Sequence, residues 1–109
     1  MSDYFFSHFG IDFVWDDNKN LSNIEKHGIS FETATLVFDD FMRLEFEDEQ
    51  HSTKDEHRFH TIGLVHDILT VVYTERYNQW TKNDDIRIIS ARLATRIERD
   101  AYNNNILGR

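Results

Sequence analysis

Three runs rich in β-branched and aromatic residues, RFHTIGLVHD, ILTVVYTER and DIRIISAR, follow one another between Arg58 and Arg92. Such runs are stable only as neighbours in a sheet. The HD that ends the first is too short for a crossover, so the first two strands pair antiparallel. A longer loop, NQWTKNDD, leads to the third. MRLEFED alternates well enough to add a strand ahead of them, and the polar stretch between EFEDE and Arg58 reads as a loop.

Upstream the period changes. IDFVW is a short apolar run, after which Asp16 and Asp17 offer an N-cap and a negative first turn for a helix ending at Gly28. Leu21 and Ile24 give that helix a narrow apolar stripe. Ser30 can cap a second helix, in which Phe31, Ala34, Val37 and Phe38 recur at helical spacing. At the other end Thr95 and Glu98 make an S/T-x-x-E capping box ahead of a helix carrying Ile97, Ala101 and Tyr102. The expected order is strand, helix, helix, a run of strands, helix. This is an α+β domain with two N-terminal helices, an antiparallel sheet and a C-terminal helix. Residues 1–10, MSDYFFSHFG, show no clear period and read as an aromatic arm appended to a single domain over residues 11–109.

With 109 residues and no cysteine, the chain has room for one modest core and no disulfide, thiol nucleophile or thiolate metal site. No stretch approaches the roughly 20 apolar residues of a membrane span, and Asp3 stands where a signal peptide would be basic. A cytoplasmic protein is expected. His51, His57, His60 and His66 lie close in sequence, but residues 57 and 60 of a strand point to opposite faces. His60 and His66 lie roughly 20 Å apart along an extended strand. No metal site is expected from them. There is no G-x-S-x-G elbow, and Gly10, Gly28, Gly63 and Gly108 are isolated, so neither a serine hydrolase nor a phosphate loop is indicated.

The formal net charge of −8 argues against a nucleic-acid partner until it is divided by position. Residues 1–56 hold 14 acids and 4 bases, whereas residues 57–109 hold 6 acids and 8 bases. Arginine dominates the second half, at Arg58, Arg76, Arg87, Arg92, Arg96, Arg99 and Arg109. Simple alternation along the last strand places Arg87 and Arg92 on opposite faces. Arg96 and Arg99 share a helix face, either as part of a guanidinium patch or as an ordinary solvated surface.

FVWDDNKNLSNIEKHGISFETATLVFDD, followed by RFHTIGLV, VVYTER and DIRIISARLATRIERDAY, resembles the BrnT family of type II toxins from bacterial toxin–antitoxin pairs. The resemblance runs over residues 11–102. It implies a RelE-like fold with helices on one face of a twisted antiparallel sheet, and RNA handled by the other face with the terminal helix. It further implies a metal-independent endoribonuclease, without cofactor, blocked by a cognate antitoxin encoded by a neighbouring gene. Operator DNA would be bound only through that antitoxin, in a dimer or heterotetramer.

Cleaving RNA without metal means driving a 2′-hydroxyl onto the adjacent phosphate, which requires a base, cations around the phosphorane and a proton donor for the leaving oxygen. Arg58, Arg87 and Arg92 are the expected phosphate clamp, because the guanidinium fork grips two oxygens at once. Glu75, beside Arg76 in an otherwise apolar strand, is the candidate general base. Lys26 and His27 could supply a cation or a proton, and Tyr73, Arg76, Arg96 and Arg99 could contact RNA. Plainer roles compete: an ion pair for Glu75 with Arg76, a helix C-terminal residue for His27, and a core aromatic for Tyr73. The structural role leads for His27 and Tyr73. The acidity leaves a second reading open, that of a catalytically inactive antitoxin-binding module acting in operon autoregulation. Tyr4, Phe5, Phe6 and Phe9 would then mark an interface or cover the core.

Overall fold

The computed structural model describes residues 2–107, so Gly108 and Arg109 lie outside it. In chain order the elements are β1 (Asp3–His8), β2 (Ile11–Asp16), α1 (Asp17–His27), α2 (Phe31–Thr35) with a 3-10 turn over Leu36–Asp39, β3 (Leu44–Glu47), β4 (Arg58–Val65), β5 (Asp67–Asn78), β6 (Asn83–Leu93) and α3 (Arg96–Leu107). The strands form one sheet in the order β1-β2-β6-β5-β4-β3.

The local signals at the helix ends act as their chemistry dictates. The Asp16 side chain accepts from the backbone N–H of Asn18 and Lys19, and Gly28 closes α1 with φ 72°. Ser30 caps α2 by accepting from the Thr33 N–H. At α3 the Thr95 N–H donates to Glu98 at 2.8 Å, and the Glu98 N–H donates to Thr95 Oγ1 at 3.2 Å.

Two expectations need correcting. The sheet is mixed rather than antiparallel, because β2 runs parallel to β6, with Phe13 opposite Ile86 and Val14 opposite Arg87. Two strands, not one, precede the helices. Six of the ten residues read as an arm form β1, which pairs antiparallel with β2 from Asp3 opposite Asp16 to His8 opposite Ile11. Phe9 and Gly10 both take positive φ, 46° and 80°, the geometry a two-residue hairpin turn requires.

One face of the sheet is packed by α1, α2 and the 3-10 turn. Phe13, Trp15, Val71, Tyr73, Ile88 and Ala91 from the strands meet Phe31, Ala34, Val37 and Phe38 in a single core. Asn23 of α1 is buried there, donating to the carbonyls of Ile29 and Ala91, both at 2.8 Å, and accepting from the Ala91 N–H at 3.2 Å. Helix α3 packs on the opposite face, where Tyr102 meets Ile62, Ala94, Leu44 and Ile68 and hydrogen-bonds Asp40. It covers one end of that face only.

Candidate ribonucleolytic face

Strand pairing determines which side chains share the half of the second face that α3 leaves open. Across β4, β5 and β6, Arg58 stands opposite Thr74 and Thr74 opposite Arg87. The next row is His60, Val72 and Ser90, and the third is Ile62, Thr70 and Arg92. Arg87 and Arg92 therefore lie on one face, against the alternation count. A β-bulge explains this. Tyr73 pairs with Ile88 and Val72 with Ser90, leaving Ile89 as an extra residue that reverses the parity of everything after it.

Each of these arginines has a carboxylate partner. Arg87 Nη2 meets Asp3 Oδ2 at 2.7 Å, and Arg76 Nη2 meets Glu56 at 2.9 Å. Arg58 lies 3.7 Å from the same Glu56, while Arg92 grips both oxygens of Glu98 at 2.7 and 3.0 Å. The hydrogen bond from Arg87 holds the Asp3 carboxyl below its usual value. Arg76 does the same for Glu56. Burial works to raise Glu98, but Arg92, the Thr95 N–H and Thr70 outweigh it and push the carboxyl down to about 2. Arg92 is thus a strut between β6 and α3.

His60 joins this face between Arg58 and Ile62. Its Nε2 lies 2.9 Å from Asp48, a carboxylate that also meets His51 at 2.8 Å. Burial acts to raise Asp48, yet the hydrogen bonds from His51 and His60 leave it below its ordinary value. Phe46 packs against the His60 ring at 5.1 Å.

Four buried side-chain polar atoms among the described residues lack a hydrogen-bond partner: His60 Nδ1, Thr74 Oγ1, Arg87 Nε and Asp85 Oδ1. All four side chains belong to this one face. Unpaired buried polar groups are uncommon and costly.

The other expected site residues lie elsewhere. Glu75 pairs with Ile86 on the helix-bearing face, where it is exposed beside Asp84 and Asn83. Tyr73 is buried in the core, stacked on Phe59 at 5.6 Å, with its hydroxyl donating to Glu45 at 3.3 Å. Burial pushes its pKa far up. Lys26 and His27 line a shallow recess on the flank of the sheet with Ile89 and Ser90, beyond the β2–β6 pairing. Arg96 is exposed in the first turn of α3, and Arg99 reaches back to the Ala94 carbonyl at 3.5 Å. Sequence reasoning passed over His60 and Thr74. The shared parity of Arg58 and His60 in RFHTIGLV was the available signal.

A family model described as "Ribonuclease toxin, BrnT, of type II toxin-antitoxin system" matches residues 15–98. The chain belongs to the BrnT family. No curated protein matches it. Membership makes it a ribonuclease toxin by family, with a cognate antitoxin as the implied partner. The matched span contains Arg58, His60, Thr74, Arg87 and Arg92, whereas β1, and with it Asp3, lies outside. Among the described residues no helix is long and apolar enough to cross a membrane.

Proposed function

We propose that this BrnT protein is a cytoplasmic, metal-independent endoribonuclease that cuts RNA by 2′-hydroxyl attack and is held inactive by an antitoxin encoded beside it. The observation that carries this reading is the row Arg58–Thr74–Arg87. The backbones carrying the two arginines stand roughly 10 Å apart, two strand spacings, with Thr74 between them. A phosphate seated over Thr74 would meet cationic forks from both sides, and these would strengthen as charge builds on the phosphorane. The 2′-oxygen forms a bond to phosphorus and the P–O5′ bond breaks, leaving a 2′,3′-cyclic phosphate and a 5′-hydroxyl. His60, held by Asp48 through Nε2, takes the 2′-hydroxyl proton on Nδ1 and returns it to the departing 5′ oxygen. Asp3 and Glu56 occupy the clamp in the free protein and give way to phosphate. The antitoxin, in complex with the toxin, binds operator DNA.

A second reading rests on those same carboxylates. Because Arg58, Arg76 and Arg87 are each already paired, the protein could serve instead as an inactive antitoxin-binding module. Expression without antitoxin separates the two. A nuclease arrests growth, and Arg87→Ala relieves the arrest while the protein stays folded and abundant. Normal growth with abundant folded wild-type protein, joined to stable complex formation with the neighbouring gene product, supports the module instead.

A further inference from the structure

Beside Arg87, at the hairpin end of β5 and β6, a cavity of about 390 Å³ opens on the same face. Its wall includes Phe5, Tyr77 and Trp80, with Arg76 and Arg87 at hand and Asp85 within it. The aromatics are exposed, Trp80 at 86%, although nothing in the core requires them there. Asp85 is the opposite case, only 7% exposed. One of its oxygens accepts from Asn78 Nδ2 at 2.8 Å, and the other has no partner. Exposed aromatic rings, cations beside them and a buried acceptor without a donor describe a receptor for a planar ring that carries hydrogen-bond donors and is attached to a phosphate.

We infer that this cavity is a nucleobase subsite selective for guanine, next to the phosphate clamp. The inference rests on the reading of this face as RNA-binding. Aromatic side chains stack any base, so they provide binding without choice. Asp85 provides the choice. Its unpartnered oxygen, Oδ1, is an acceptor beside the oxygen that already accepts from Asn78, and the Watson–Crick edge of guanine presents two adjacent donors, N1–H and the 2-amino group. Uracil offers a single N–H between two carbonyl oxygens that repel the carboxylate. A site built around a buried polar group discriminates strongly against a ligand that leaves it unpaired.

The test titrates the full-length protein with guanosine, inosine and uridine 5′-monophosphates while following tryptophan emission. Trp15 is buried and serves as a constant background, so Trp80 reports. Guanosine monophosphate is expected to quench with a Kd at least tenfold below that of uridine monophosphate, with inosine monophosphate, which lacks the 2-amino group, in between. Asp85→Asn is expected to erase the preference, and Trp80→Leu to weaken all three nucleotides. Should Asp85→Asn not fold, the guanosine–inosine comparison on the wild-type protein still decides. Equal affinities for guanosine and uridine nucleotides would overturn the inference. So would a Trp80 response to the antitoxin and to none of the nucleotides, which would assign the cavity to the protein partner. Because no nucleotide is cut, a protein that cleaves RNA without this selectivity retains the nuclease reading and loses only the subsite. Selective binding without cleavage does the reverse.

Discussion

Asp3 and Arg87, 84 residues apart in sequence, are joined by two contacts, Nη2 to Oδ2 at 2.7 Å and Nη1 to Oδ1 at 3.4 Å. The pair ties the first strand to the arginine best placed to hold a phosphate. If this face takes RNA as proposed, a carboxylate in that position competes for the same guanidinium, and it belongs to a strand outside the family match. The excess of acid over base in this chain therefore has a specific consequence at the site.

Replacing Asp3 by Asn removes the competing charge and keeps the shape. Affinity for an uncleavable 2′-deoxy oligonucleotide should rise several-fold. The slope of log K against log salt should also steepen, because in the wild-type protein the displaced Asp3 takes up a cation that offsets part of the counterion release. Fluorescence anisotropy across a salt series measures both, and an unchanged affinity and slope would show that Asp3 does not guard Arg87.

The buried amide of Asn23 holds α1 to the sheet through three hydrogen bonds to the Ile29 carbonyl and to both backbone groups of Ala91. Asn23→Ala leaves those groups dry and unpaired, at a cost of about 3 kcal/mol. Urea unfolding should show a lower midpoint with an unchanged slope. A loss under about 1 kcal/mol would mean that the helix is held by its apolar contacts alone.

Gly63 lies beneath the 3-10 turn. A Cβ there would come within 2.8 Å of Val37 Cγ1 and 3.2 Å of the Val37 carbonyl. Gly63→Ala should destabilise by about 1–3 kcal/mol through overpacking. Thermal unfolding by circular dichroism checks this, and a stability equal to wild type would show that the turn can move aside.

Glu98 sits at about 2 when folded, below its ordinary 4.5. Folding therefore favours the charged form. The resulting stability is complete above pH about 4.5 and is lost as pH falls toward 2. Because Arg92 is partly exposed, the contribution is about 2 kcal/mol. Glu98→Gln keeps a capping side chain but not the charge, so it should cost about that much at pH 7 and almost nothing at pH 2. Equal penalties at both pH values would contradict the assignment.

What could be read from the sequence was local. Asp16, Gly28, Ser30, Thr95 and Glu98 act within a few residues of themselves, so their caps were legible. The runs RFHTIGLV and ILTVVYTER carry their own alternation. Strand β1 was not legible, because its pairing depends on the Phe9–Gly10 turn and on a partner, β2, buried on both faces. The grouping of Arg87 with Arg92 was hidden by one inserted residue, Ile89, that no count of alternation reveals. Charge was legible as composition, but the ties from Asp3 to Arg87 and from Glu56 to Arg76 come from long-range register. Glu75, by contrast, faces away from the arginine row through simple alternation with its neighbour Arg76.

Incubating the purified protein with single-stranded RNA in excess chelator, and identifying the new ends, tests the central claim most directly. Cleavage is expected to leave 2′,3′-cyclic phosphate and 5′-hydroxyl ends, to fall at least 100-fold in Arg87→Ala, and to fall comparably in His60→Ala. Intact RNA, or cleavage that Arg87→Ala leaves unchanged, would contradict it.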